Sequence, residues 1–237
     1  MTEEIQQLNE SQHNPGAGLN VDPNSSLTKF SDKILYYKNA LPDIYNLVKD
    51  LDTYQEQYNK SSSWIAPWED WLSNNDSTDI YGEQRTGYFS GPKGASDNIL
   101  HEYSEYDAKS RAISVSVKEA LDSLVLDYAK NTDTVNYGYL PNTYFIRKYR
   151  PEKGMGEHFD KYPTEENETT LSAVIYVNDD YNDGEIEFPE YELSIKPEAG
   201  SILFFPSGPD YLHIARPGGL GARRFIIPIF WYANNEE

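Results

Sequence analysis

The chain has 237 residues, enough for one domain with a sizeable core, and its 39 acidic against 20 basic residues leave it at −19 at neutral pH. Such a field repels phosphate backbones, which argues against nucleic acid as a partner. With no cysteine, disulfides, thiolate nucleophiles, iron–sulfur clusters and Cys-type zinc sites are excluded, so any metal must be held by carboxylates and the four histidines.

The first six residues, Met1 to Gln6, have neither the basic start nor the apolar core of a secretion signal. No apolar run approaches the ~18 residues of a membrane span. The expectation is a cytoplasmic protein with no membrane partner. Residues 1–28 are rich in Glu, Gln, Asn, Ser, Pro and Gly without an apolar period and read as a flexible tail. Residues 29–237 read as a single domain with its β-rich core at about 140–233. Lys33 to Lys38, with Ile34-Leu35-Tyr36-Tyr37 inside it, reads as a short strand. Pro42 opens a helix through about Thr53, with Ile44, Leu47, Val48 and Leu51 at helical spacing.

Ser61 to Gly91 is aromatic, polar and aperiodic, with Trp64, Trp68, Trp71, Tyr81 and Tyr88 among Ser, Asn, Asp and Gly. A loop of this length is either a lid over a site or a set of aromatics capping the core. The clearest helix covers 109–130, where Ile113, Val117, Ala120, Leu121, Leu124 and Tyr128 mark an apolar stripe. From Asn142 short β-rich runs alternate with turns: Thr143–Tyr149, Gly156–Asp160, Thr170–Asn178, Gly184–Phe188, Glu192–Lys196, Ser201–Pro206, Tyr211–Arg216 and Arg223–Tyr232. Eight strands at such spacing predict an α+β protein, a jelly roll or sandwich buttressed by N-terminal helices. Pro197-Glu198-Ala199-Gly200 reads as a hairpin turn between two of them.

His158 and Asp160 are two apart, so on an extended strand they leave the same face. His213 lies on the seventh strand, which in a jelly roll comes close to the second, the two lying on the two sheets that line the mouth. Two imidazoles and one carboxylate on one face of an octahedral metal leave three positions open, which suits Fe(II) oxygenase chemistry. Arg223, ten residues on (223 − 213), follows a Gly-rich turn and is expected to point inward, where a buried guanidinium needs an anion. Arg224 is expected to alternate to the outer face and pair there. His13 and His101 receive no role.

With these residues the chain resembles the Fe(II)- and 2-oxoglutarate-dependent dioxygenases, in their prolyl 4-hydroxylase-like branch. The resemblance covers about residues 140–232 and rests on Tyr149, His158, Asp160, His213, Pro217, Gly221 and Arg223 at the family's spacings, with Trp231 as its closing Trp. It implies a double-stranded β-helix, iron held by His158, Asp160 and His213, and 2-oxoglutarate held by Arg223 and Tyr149. Ser172, four before Tyr176, falls where the family often has a co-substrate-binding Thr. The implied cofactors are Fe(II), 2-oxoglutarate and O2, with ascorbate as an accessory reductant. The implied reaction is hydroxylation of an unactivated C–H bond, foremost in a prolyl residue of a peptide, with release of succinate and CO2. Met155 departs from the usual aromatic three before the first His, and Asp183-Gly184-Glu185-Ile186 departs from the Gly-Gly-Glu-Thr turn. The competing readings are an oxygenase of a free amino acid or other small molecule, a catalytically inactive metal- or carbohydrate-binding jelly roll, and a zinc hydrolase. The last lacks a Glu base at a fixed offset.

Overall fold

The computed structural model describes residues 26–48, 69–70, 83–88, 105–138, 144–149, 154–161, 168–220 and 224–233. Within them the strands are β1 (Ser26–Lys29), β2 (Leu35–Lys38), β3 (Glu69–Asp70), β4 (Glu83–Tyr88), β5 (Tyr144–Tyr149), β6 (Met155–His158), β7 (Thr169–Tyr176), β8 (Ile186–Phe188), β9 (Leu193–Ile195), β10 (Ile202–Pro206), β11 (His213–Ala215) and β12 (Arg224–Tyr232). The helices are α1 (Ile44–Val48) and α2 (Glu105–Thr132). An eight-stranded sheet of order β1-β2-β10-β7-β12-β5-β4-β3 faces a four-stranded sheet of order β6-β11-β8-β9. Every pairing is antiparallel. This is the expected double-stranded β-helix, and each of the eight strands read from Asn142 onward is present.

Alternation along the large sheet builds two cores. On β10, Ile202 and Phe204 face the helices while Leu203 and Phe205 face the small sheet. On β12, Phe225, Ile227, Ile229 and Trp231 join the helix-side core. There Val117, Leu121, Leu124 and Tyr128 of α2 cover them, with Tyr128 stacked on Phe204 at 5.4 Å. From Val117 to Tyr128 the α2 stripe is the one the sequence shows, and the helix is longer than 109–130. The inter-sheet core holds Ile34, Tyr36, Tyr149, Tyr176, Phe188 and Phe205.

Three features differ from the sequence reading. Ser26–Lys29, at the end of the stretch read as tail, pairs with β2 as an edge strand. Within the segment read as loop, β3 and β4 extend the large sheet through β5. Trp64, Trp68 and Trp71 lie outside the described residues. Pro197–Gly200 is a corner rather than a hairpin, because it carries the chain from β9 of the small sheet to β10 of the large one. Gly200 sits at φ +73, donates to the Tyr176 carbonyl and accepts from Leu41 N–H, both at 2.8 Å. A Cβ there would meet the Leu41 carbonyl oxygen at 2.6 Å, so the corner requires glycine.

Candidate active site

β6 is the end strand of the small sheet and pairs with β11 so that His158 and His213 are opposite each other. The two ligand-bearing strands are therefore neighbours in one sheet, not members of two. Their rings lie 4.1 Å apart between centroids. Asp160, just past the end of β6, places its Oδ1 3.7 Å from His158 Nε2 and its Oδ2 3.8 Å from His213 Nε2. Ligand atoms of all three lie within 4.8 Å of one another, and Asp160 and His213 are buried.

Each imidazole is oriented by its own chain. His158 Nδ1–H donates to the Gly156 carbonyl at 2.6 Å and His213 Nδ1–H to the Tyr211 carbonyl at 3.0 Å. A carbonyl can only accept, so Nδ1 carries the proton in both rings and each Nε2 lone pair is left for a metal. Phe205 packs edge-on against His213 at 4.8 Å, with Phe188 at 5.6 Å. Burial lowers the pKa of His213, against the opposing pull of Asp160, so the ring is neutral at pH 7 and able to ligate. The donor set, two neutral imidazoles and a carboxylate, fits Fe(II).

From this cluster a cleft runs between the sheets. Arg224, Tyr149 and Tyr176 also line it. Arg224 is 2% exposed, and its guanidinium lies 3.9 Å from the centroid of the Tyr149 ring, across the β12–β5 register. Nη1 donates to the Arg216 carbonyl at 2.6 Å, with the Gly184 carbonyl at 3.5 Å. Nε and Nη2 are buried without a partner, as is the Tyr181 hydroxyl. Tyr181 and Arg224 flank Gly184: a Cβ there (φ +91) would meet the Tyr181 ring at 2.7 Å and Arg224 Nη1 at 3.4 Å. A buried guanidinium with idle donors is costly unless an anion completes it, so this end of the cleft fits a carboxylate. Burial raises the phenol pKa of Tyr176 and of Tyr181, partly offset at each by Arg224, so both remain neutral donors at pH 7.

The expectation that Arg224 faces outward is corrected. On β12 the even-numbered residues Arg224, Ile226, Pro228 and Phe230 face the cleft, and Arg224 is the buried cation. Arg223 lies outside the described residues, as do His13 and His101. Ser172 shares a strand face with Val174 and Tyr176 but does not line the cleft, and its hydroxyl is bonded to that of Ser207 at 2.8 Å. Tyr176 and Tyr181 were not singled out as site residues by the sequence. Ser172 was singled out by the family resemblance; alternation along β7 puts Tyr176 on the same face and could have found it, whereas nothing local marked Tyr181.

Two histidines and an aspartate at one end of the cleft, with a buried cation at the other, form an arrangement able to hold one metal ion and a small acid beside it. Residues 144–232 match the sequence profile of the 2OG-Fe(II) oxygenase superfamily. No curated protein matches the chain by sequence. Among solved structures it is similar to a prolyl hydroxylase from Trichoplax adhaerens in complex with a hypoxia inducible factor oxygen degradation domain peptide fragment, at 15% identity over 96% of this chain and 92% of that one, with a TM-score of 0.56. It is also similar to a Pseudomonas putida prolyl-4-hydroxylase, at 16% identity over 92% of this chain and 98% of that one, with a TM-score of 0.51. Residues 144–232 thus carry a 2OG-Fe(II) oxygenase domain on a fold like that of prolyl hydroxylases, and the cofactors this domain implies are Fe(II), 2-oxoglutarate and O2. No helix among the described residues is long and apolar enough to cross a membrane.

Proposed function

We propose that the protein hydroxylates a prolyl residue within a peptide or protein, with Fe(II) held by His158, Asp160 and His213 and 2-oxoglutarate held between that cluster and Arg224. The observation that carries the co-substrate reading is the pair of unpartnered N–H groups of Arg224 in a cleft that also holds the three ligands. The prolyl substrate is supported by the likeness in fold to two prolyl hydroxylases, one of them bound to a peptide.

The distal carboxylate takes the fork of Arg224 through Nε and Nη2, a charge-assisted pairing that Lys could not match in geometry. Tyr149 fixes the plane of the guanidinium from beneath, and the Tyr181 hydroxyl supplies a neutral donor beside it. When bound, the iron couples oxidative decarboxylation of 2-oxoglutarate to succinate and CO2 with transfer of one oxygen atom from O2 into a C–H bond. His158 and His213 keep their Nε2 atoms aimed inward through the two carbonyl bonds, so the ligand face is ordered in advance. Val174, Ile186, Ile226 and Phe230 form apolar walls that keep bulk water from the reacting centre.

The test is substrate-stimulated succinate release with panels of prolyl peptides and free amino acids, in air and anaerobically. Oxygen-dependent stimulation by peptides is expected. Stimulation by free amino acids alone would assign a small-molecule substrate instead, and succinate formation undiminished in His158→Ala would remove the iron assignment.

A further inference from the structure

The polar groups of the site are laid out in line along the small sheet. β8 runs antiparallel to β11, with Ile186 opposite Ala215 and Glu187 opposite Ile214. At the Ala215 end of this ribbon the carbonyls of Gly184 and Arg216 hold Arg224. At its other end His213 faces His158. Past that end the chain makes two 3₁₀ turns, Pro189–Tyr191 after β8 and Pro209–Tyr211 before β11. Both read Pro-acid-Tyr, with Glu190 in the first and Asp210 in the second.

The two tyrosines meet. Their rings stack 5.5 Å apart at 19°. Tyr211 leans on the inter-sheet core, and its carbonyl is the one that orients His213. Tyr191 is 36% exposed; Glu190 and Glu192, on either side of it in the chain, and Asp210, next to Tyr211, are exposed as well. Phe159, between the two ligands that follow β6, is 42% exposed at the same end. An aromatic face ringed by carboxylates suits a cation on an apolar stem, and few other groups. The chain's net charge of −19 favours the same partner at long range.

A substrate has to reach the metal from this end, because Arg224 and the co-substrate it holds occupy the other. We infer that the Tyr191–Tyr211 stack, with Glu190 and Asp210, is a docking surface for a basic stretch of the substrate polypeptide, a Lys or Arg close in sequence to the hydroxylated residue. The inference rests on the peptide reading above and adds the charge of the substrate to it. The cationic head lies against the outer face of Tyr191 and its methylenes against Phe159, while the scissile C–H bond reaches the cleft.

The test uses labelled prolyl peptides flanked by Lys/Arg, by Gln or by Glu, bound to the Zn(II)-substituted protein with 2-oxoglutarate and followed by fluorescence anisotropy. The basic peptide is expected to bind on the order of tenfold tighter than the neutral one, with the advantage fading as salt rises. Tyr191→Ala, and separately the double variant Glu190→Gln/Asp210→Asn, should each erase most of that preference while the thermal shift given by 2-oxoglutarate is unchanged. Equal binding of all three peptides, or a preference that survives the double variant, overturns the docking surface alone when peptides are still hydroxylated. Turnover of free amino acids in place of every peptide overturns it together with the peptide reading.

Discussion

The two sheets hold their functional groups by different means. The cation and its aromatic floor belong to the large sheet, where β7 runs for 8 residues and β12 for 9 and the two pair in unbroken register from Ile226 to Trp231. The two histidines proposed as metal ligands belong to the small sheet, whose strands are only 3 or 4 residues long, and Asp160 lies just past the end of β6. Register with β5 sets Arg224 opposite Tyr149, and the carbonyls of Gly184 and Arg216 then hold its guanidinium. In the small sheet each histidine is tied to a carbonyl two residues before it and His213 is wedged by Phe188 and Phe205. The lesson is that each imidazole is oriented by its own stretch of chain, whereas Arg224 is oriented by sheet register together with carbonyls from the connections before β8 and after β11.

Substitution at each end breaks this comparison differently. The largest effect is expected for His158→Ala or His213→Ala, which should lower succinate formation by at least about a thousandfold while far-UV circular dichroism stays native, since each removes a ligand from an already short set. Arg224→Met comes next. Leaving a desolvated carboxylate without its partner costs about 3–5 kcal/mol, so the KM for 2-oxoglutarate should rise by roughly two to three orders of magnitude. The same variant should melt higher than the parent when no co-substrate is present, because it removes a buried cation with idle donors. A lower melting point would show that the guanidinium is already satisfied. Arg223→Ala should leave that KM within about twofold, given that Arg224 already supplies the cleft's cation.

Tyr181→Phe should raise the KM for 2-oxoglutarate about five- to tenfold with little change in melting temperature, since its hydroxyl has no partner to lose within the protein. Ser172→Ala is expected to change the KM less than twofold and to cost about 1 kcal/mol of stability through its bond with Ser207. A large KM effect there would return Ser172 to the co-substrate site.

The residues that the sequence disclosed are those whose meaning is set by short-range spacing. A His-x-Asp pair, an alternating strand and a helical stripe are each legible within a few positions, and the eight strands and the α2 stripe were read that way. That Arg224 faces inward was not legible, because a one-residue difference in the turn after β11 flips the face presented by the next strand. Likewise Pro197–Gly200 advertises a reversal, but its residues do not say that the reversal changes sheets. β4 was missed because its pairing partner, β5, lies more than fifty residues away and its own run, Glu83–Tyr88, shows no apolar alternation.

An arginine buried with two donors idle burdens the polypeptide from the moment it folds. A ligand that meets those donors binds only the native form, and at a hundred times its Kd adds about 2.7 kcal/mol to the folding equilibrium. On the proposed reading the diacid is thus a chaperone for the protein as well as its fuel. Chains synthesised while it is scarce are then expected to unfold more often and fall to proteolysis sooner, which would tie the standing amount of enzyme to the supply of the metabolite it consumes.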